Sequence, residues 1–465
     1  MTQEYIDEII RMRKTYCIMD DVIEEMRLQL QEVIKLDKEF GRDFGELDSV
    51  DSDNKSVDYS DTLTEFYRNM LKECITDQAA FAEFSGGISF YTTNLSITFP
   101  EFFVPYYYRF NFNVLSRIAE AFEIELPEIP VKKDYKGRVL YYGEICRILL
   151  EFAKENSLSK YELYAFLYDF APQYIGGLDS YIVKDLPAPR SAFFIGADRN
   201  DQFLAENHSE ITSWQCSPDT RVGDMIVMYM RTPISAVDSI WRACSVGFID
   251  PFFYYYRCVY ISNPVKVKSF SLVEMRKDTI FKGLPIVRKN MQGINGVELY
   301  PSVYNHLLKV TGSKALSLEY EKTENDEEYT CEKDVENKLI KPLIFKLGYD
   351  ASEFEQQLYV EIGNHNKALI PDFVLLPDKT HGHISGFGII EAKRSIPSAK
   401  VLKEVFVQAR SYARVLSAKY CAVASKEKIW ISQRRDDYEE IFFEATWKQL
   451  NNADCFYELD KIIGK

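Results

Sequence analysis

Two apolar runs near the C-terminal end each hold charge at a defined place, and this limits how they can fold. Residues 369–376 carry a single charge, Asp372, and residues 386–393 carry theirs only at the end, as Glu391 and Lys393. Each run reads as a strand, with its charge at one place along it. The strand period of two puts Glu391 and Lys393 on one face. Ala392 between them is small and points the other way, which leaves its carbonyl available as a ligand.

Helical and strand periods surround this pair. Residues 335–345 read as a helix with Glu336 near its start and a kink at Pro342, and 347–349 end it. A first strand is expected around 358–362, a helix over 399–416, and further strands at 420–424 and 429–432, in the order αβββαβ. The pair His381 and His383 reads as loop. Phosphodiester hydrolysis needs a cation to hold phosphate oxygens and acidify a water, and Mg²⁺ takes few carboxylates and several waters. Two strand acids, a backbone carbonyl and a lysine to handle the water meet that requirement.

With these residues in view, the stretch 332–433 resembles the PD-(D/E)xK nuclease superfamily. Pro371 with Asp372, and Glu391, Ala392 and Lys393, stand at its motif positions, and Glu336 matches its helical acid. Gln408 and Tyr412 match the Q-x-x-x-Y helix motif of the RecB-like branch and of type I restriction motor subunits, and their spacing of four places them on one helix face. The resemblance implies a restriction-endonuclease-like α/β core and a Mg²⁺ site in which Mn²⁺ substitutes. In it Asp372, Glu391 and the Ala392 carbonyl bind the metal, Lys393 handles the water, Glu336 supports the metal through a water, and Gln408 steadies the strand end or the substrate. The sequence contains no G-x-x-x-x-G-K-[ST], which argues against a nucleotide cofactor.

Upstream, Leu186, Pro187, Ala188, Pro189 and Arg190 form a stiff break, followed by closely spaced strand-like runs at 192–195, 224–230, 241–248, 255–261 and 265–270. Such spacing predicts a small barrel or curled sheet. Residues 191–310 resemble the EVE and wider PUA-like family through Trp214 to Cys216, Gly223 to Tyr229, Trp241 to Cys244, and Asn290 to Gly296 ahead of Tyr300 and Leu307. The resemblance implies a flipped base held on aromatic walls, for which Trp214, Tyr229 and Trp241 are candidates, and read at its polar edge by Asn290 or Asp250.

The first 185 residues read as helical. Apolar positions recur at helical spacing over 3–40 with Arg13 interrupting, 45–56 form a polar acidic loop, and a helix follows Ser60. The dense aromatics of 99–174 read as helical core, with Ser159 placed to cap a helix. The net charge of -15 opposes binding to phosphates, but the acidic excess sits in this region and leaves the other two near neutral. Nine scattered cysteines show no zinc-ligand spacing, and no run of about 18 uncharged apolar residues occurs. The expectation is a cytoplasmic chain with no membrane partner.

The expected architecture is multidomain α+β. A mostly helical acidic region spans 1–185, a PUA-like β-barrel 186–318, a charged linker 319–331 and an α/β nuclease core 332–465. The expected function is a modification-dependent restriction endonuclease of the phage-defence type, acting on DNA; the alternative is a nucleic-acid-binding regulator or adaptor that keeps the nuclease fold. A double-strand cut in one encounter needs two nuclease domains, which suggests a homodimer.

Overall fold

The computed structural model describes residues 78–176, 183–206, 211–320, 329–361, 368–380, 383–434 and 440–465, with Thr2, Tyr5, Ile6 and Ile9. The readings of 3–40, of the 45–56 loop and of a helix after Ser60 fall almost entirely outside these residues, as do 321–328 of the linker and His381. The chain is mixed helix and sheet. Two compact units divide it: Met1–Ala188 with Phe193–Lys266 and Lys289–Val297, and Pro189–Ala192 with Val267–Arg288 and Glu298–Lys465.

In the first unit, α1 (Gln78–Thr98), α2 (Phe112–Ala121) and α3 (Tyr135–Glu155) precede α4, which runs Lys160–Ala165, widens into a π-turn at Phe166–Phe170 and ends at Ala171–Tyr174. Polar residues start α3 and α4 by satisfying free backbone donors. The Asp134 side chain accepts from the Gly137 N–H, and Ser159 caps α4 with its own N–H donated to Glu162. The aromatics form the core: Phe81, Phe84, Phe112, Tyr142 and Phe166 are buried, each burial stabilising by about 1.5–3 kcal/mol. Arg138 is buried among them. Its guanidinium donates to the carbonyls of Pro251, Lys132 and Phe253 at 2.7, 2.9 and 2.6 Å and lies 3.9 Å over the Phe81 ring.

A curled half-barrel sheet follows, built from β1 (Ala192–Ala197), β2 (Thr212–Trp214), β3 (Met225–Met230), β4 (Ala236–Ala243), β5 (Phe248–Ile249), β6 (Arg257–Ser271) and β7 (Val297–Leu299). Its order is β2-β6-β4-β3-β1-β7, with β5 on β6. The two strands expected at 255–261 and 265–270 are one: Asn263, in the left-handed region at φ 52°, bends β6 without ending it. The expected 241–248 strand begins earlier, at Ala236, where pairing with Met230 closes the β3–β4 hairpin.

The second unit holds α5 (Leu272–Lys277), α6 (Pro301–Thr311) and a six-stranded sheet. Helix α7 runs Glu332–Val335, π-turn Glu336–Ile340 and Lys341–Lys346. Pro342 has no N–H to return to the preceding turn, and one widened turn takes up the misfit where the sequence predicts a kink. The sheet is made of β8 (Phe354–Gln356), β11 (Phe373–Leu375), β12 (Gly388–Ala392), β13 (Tyr420–Ala424), β14 (Lys428–Gln433) and β15 (Ile441–Thr446), while β9 (Val360–Glu361) and β10 (Ala368–Leu369) pair apart from it. The first core strand therefore lies upstream of the expected 358–362. Gln357, at φ 53°, turns the chain so that Leu358 and Val360 enter the core on the opposite face of the sheet from Phe354.

Strands β12 and β13 are parallel, joined by the crossover helix α8 (Ala399–Val415), and the other core pairs are antiparallel. Helix α9 (Ala453–Ile463) follows β15. Arg190 is tied into this unit, donating to the Leu347 carbonyl and pairing with the buried Asp460. Gly348 ends α7 at φ 88°, and a Cβ there would meet the Arg190 guanidinium.

Candidate active site

Alternation along β12 sends Ile390 and Ala392 into one core layer and Ile389 into the other, beside α8. Glu391 shares the parity of Ile389 and faces Gln408 of α8, whose Nε2 donates to Glu391 Oε1 at 2.9 Å and to the Tyr412 hydroxyl at 2.9 Å. The β11–β12 ladder ends at Phe373 opposite Ile390. Just beyond it, Asp372 Oδ2 accepts the Ala392 N–H at 2.7 Å, a side chain continuing where backbone pairing stops.

Lys393 leaves the strand end, and its Nζ donates to the Ala392 carbonyl at 2.6 Å, Glu332 Oε1 at 2.9 Å and Glu391 Oε1 at 3.2 Å. On α7, the buried Glu336 is steadied by Gln356, whose Nε2 donates to its Oε2 at 2.7 Å. The six residues Asp372, Glu391, Lys393, Glu336, Gln408 and Tyr412 thus gather at one end of the sheet.

Glu332 is the residue that sequence reading missed. Its carboxylate, with those of Glu336 and Asp372, forms a group whose ligand oxygens all lie within 4.8 Å of one another. The available signal was its place four residues before Glu336, which puts both acids on one helix face. Glu391 stands outside this trio, and the Ala392 carbonyl is engaged by Lys393.

Among the described residues, the site gathers the carboxylates of Glu332, Glu336, Asp372 and Glu391 around the Lys393 ammonium. Burial, then the neighbouring Asp372, pushes the Glu391 carboxyl up to about 7. Burial also raises Asp372, against the pull of the Ala392 N–H. For Lys393 burial acts downward, but the hydrogen bond to Glu332 and the charge of Glu391 outweigh it, so the ammonium holds its proton more tightly than usual. Glu391 is 2% exposed, and its Oε2 has no hydrogen-bond partner among the described residues. The acidic trio is of the oxygen-donor type that suits a hard divalent cation, and the buried, unpartnered Oε2 of Glu391 stands at the same sheet end.

No protein-family model matches the chain, and no curated protein matches it. Among solved structures, the chain over 26% of its length is similar to 93% of a Rhodopseudomonas palustris protein, at 14% identity and a TM-score of 0.23. Over 27% it is similar to 98% of an Agrobacterium tumefaciens protein, at 14% identity and 0.23. Over 26% it is similar to 96% of the ASCH protein of Zymomonas mobilis, at 11% identity and 0.20. At such scores these likenesses carry no argument.

The candidate base-binding residues are spread through the half-barrel. Trp241 is 1% exposed and donates its indole N–H to Ser239, and Tyr229 is buried in β3. Asp250 is fully buried, its Oδ1 accepting from the N–H groups of Phe252 and Phe253. Trp214 keeps part of its surface exposed while its indole N–H bonds the Gly196 carbonyl at 3.1 Å, and Asn290 is exposed at φ 56°. Stacking a base needs an accessible ring, which the burial of Trp241 and Tyr229 denies and the partial exposure of Trp214 allows. Among the described residues no helix is long and apolar enough to cross a membrane.

Proposed function

We propose that the chain is a Mg²⁺-dependent endodeoxyribonuclease whose half-barrel selects the target, in the manner of a modification-dependent restriction enzyme. The observation that carries this reading is the gathering of Glu336, Asp372, Glu391 and Lys393 at one sheet end, with Glu391 Oε2 buried and unpartnered. Glu332, Glu336, Asp372 and Glu391 would hold the cation. When bound, Mg²⁺ supplies a charge that holds phosphate oxygens and acidifies a water.

The chain's own groups do the rest. Lys393 keeps its ammonium at the strand end, where it orients a water or stabilises negative charge on a phosphate. Gln408 fixes one oxygen of Glu391 and so sets the direction of the other. Gln356 does the same for Glu336, and the Ala392 N–H for Asp372. In the half-barrel, Trp214 is the aromatic candidate with accessible surface.

The test is cleavage of plain and base-modified duplex DNA in Mg²⁺ or Mn²⁺ by the full chain and by the Asp372→Asn and Lys393→Ala variants. Both variants are expected to bind DNA and lose cleavage, and undiminished cutting by either overturns the assignment. Absence of cutting by the parent on every duplex, with DNA binding retained, favours a regulator or adaptor instead. Competition by modified against unmodified duplex tests target selection, and equal affinity removes base reading from the half-barrel.

A further inference from the structure

Glu332 is not among the residues that carry the nuclease resemblance, yet it touches Lys393, the cationic side chain of that motif. Its Oε1 takes the Lys393 ammonium at 2.9 Å, while its carboxylate also belongs to the acidic trio with Glu336 and Asp372. These two attachments compete, because an ammonium and a divalent cation draw on the same negative charge.

The trio differs in freedom. Glu336 is buried and bonded by Gln356, and Asp372 is bonded by the Ala392 N–H. The Glu332 side chain is 43% exposed and held only through Lys393 among the contacts described. Trans oxygens around Mg²⁺ stand about 4.2 Å apart, twice a bond of about 2.1 Å. The trio's oxygens all lie within 4.8 Å of one another, a bound that admits this span, and Glu332 is the member freest to adjust as a cation binds. Separately, among the described residues the buried Glu391 Oε2 has no hydrogen-bond partner, and its carboxylate stands within the field of Asp372 and Glu332 as well as that of Lys393.

The geometry points to Glu332 as a positioning residue: the counterion that retains Lys393 in the cation-free site and gives it up when its carboxylate turns to the cation. Lys393 then keeps only its bonds to Glu391 and the Ala392 carbonyl, which leaves one ammonium hydrogen free to face the phosphate. Cation occupancy and the placing of the lysine become one event. This inference rests on the nuclease reading above.

The experiment is a double-mutant cycle on Mn²⁺ binding alone, read by electron paramagnetic resonance on the full chain without DNA. It compares the parent, Glu332→Gln, Lys393→Met and the double variant. Removing the lysine frees Glu332 for the cation, so Lys393→Met is expected to tighten Mn²⁺ in the parent by at least about threefold more than in the Glu332→Gln background. Glu332→Asp, which restores the charge one methylene shorter, is expected to regain part of this coupling. Equal factors in both backgrounds overturn the role of Glu332 and leave the nuclease reading standing. A parent that binds no Mn²⁺ at millimolar concentration overturns both.

Discussion

Replacing Asp250 by asparagine removes a carboxylate with no solvent contact and an incomplete set of partners. Its Oδ1 accepts from the Phe252 and Phe253 N–H groups at 2.9 and 3.1 Å, the Phe110 N–H also lies toward the carboxylate, and among the described residues no hydrogen bond of good geometry reaches Oδ2. Burial drives its carboxyl up from 3.8 to about 7, against the lowering pull of those backbone donors and of Arg138. The folded value lies above the unfolded one, near 3.9, so the folded state binds the extra proton over that interval. The stability linked to it is complete below about 3.9 and is lost as pH rises through about 7. At about 1.4 kcal/mol per pH unit the full loss is on the order of 4 kcal/mol, an upper bound because water entry softens it. An asparagine in its place would behave as the uncharged form at every pH. In urea denaturation of both chains, the advantage of Asp250→Asn is expected to grow by about 2–3 kcal/mol between pH 5 and pH 8. A difference constant over that range would refute the reasoning. It would mean that the carboxylate reaches water, and Asp250 would regain its standing as a reader of a base edge.

Two further outcomes follow from contacts described above. Gln408→Leu removes the donor to Glu391 Oε1, and a lost support of this kind weakens cation affinity or cleavage by about 10–100-fold, whereas Tyr412→Phe, one step further out, is expected to change either far less; Mn²⁺ titration and cleavage rates check both. Arg138→Met strips donors from three carbonyls inside the first unit and is expected to destabilise it by at least about 3 kcal/mol in denaturant unfolding.

Legibility in the sequence followed periodicity. Glu391 and Lys393 two apart, Gln408 and Tyr412 four apart, and a lone aspartate in an apolar run each state a face, and those faces meet at one sheet end. Glu332 carried no such mark, because an acid at a helix start is also what a solvated first turn looks like. Its partner Lys393 is 61 positions away, a pairing that only the tertiary fold creates. Apolar alternation at 358–362 imitated a core strand, because Leu358 and Val360 are indeed buried, but in the other core layer. In the half-barrel, Trp241 has the composition of a stacking wall and the burial of a core residue, and the two differ only in which face of β4 looks inward. The strand β15 and helix α9 went unread, since the exposed positions of β15, Ile441 and Phe442 among them, do not alternate cleanly.

The hydrogen bond from the Ala392 N–H to Asp372 makes this carboxylate the final rung of a zipper between β11 and β12. Its rotamer is chosen when the strands close, and the entropy surrendered, on the order of 1 kcal/mol, is lost during folding and no longer weighs on binding. In the reading proposed above, the same arrangement creates a dependence. Fraying at that one sheet end would unlock the aspartate and silence the site with every side chain still present, so a substitution far from the acids that loosens β11 from β12 acts on activity as surely as one within the cluster.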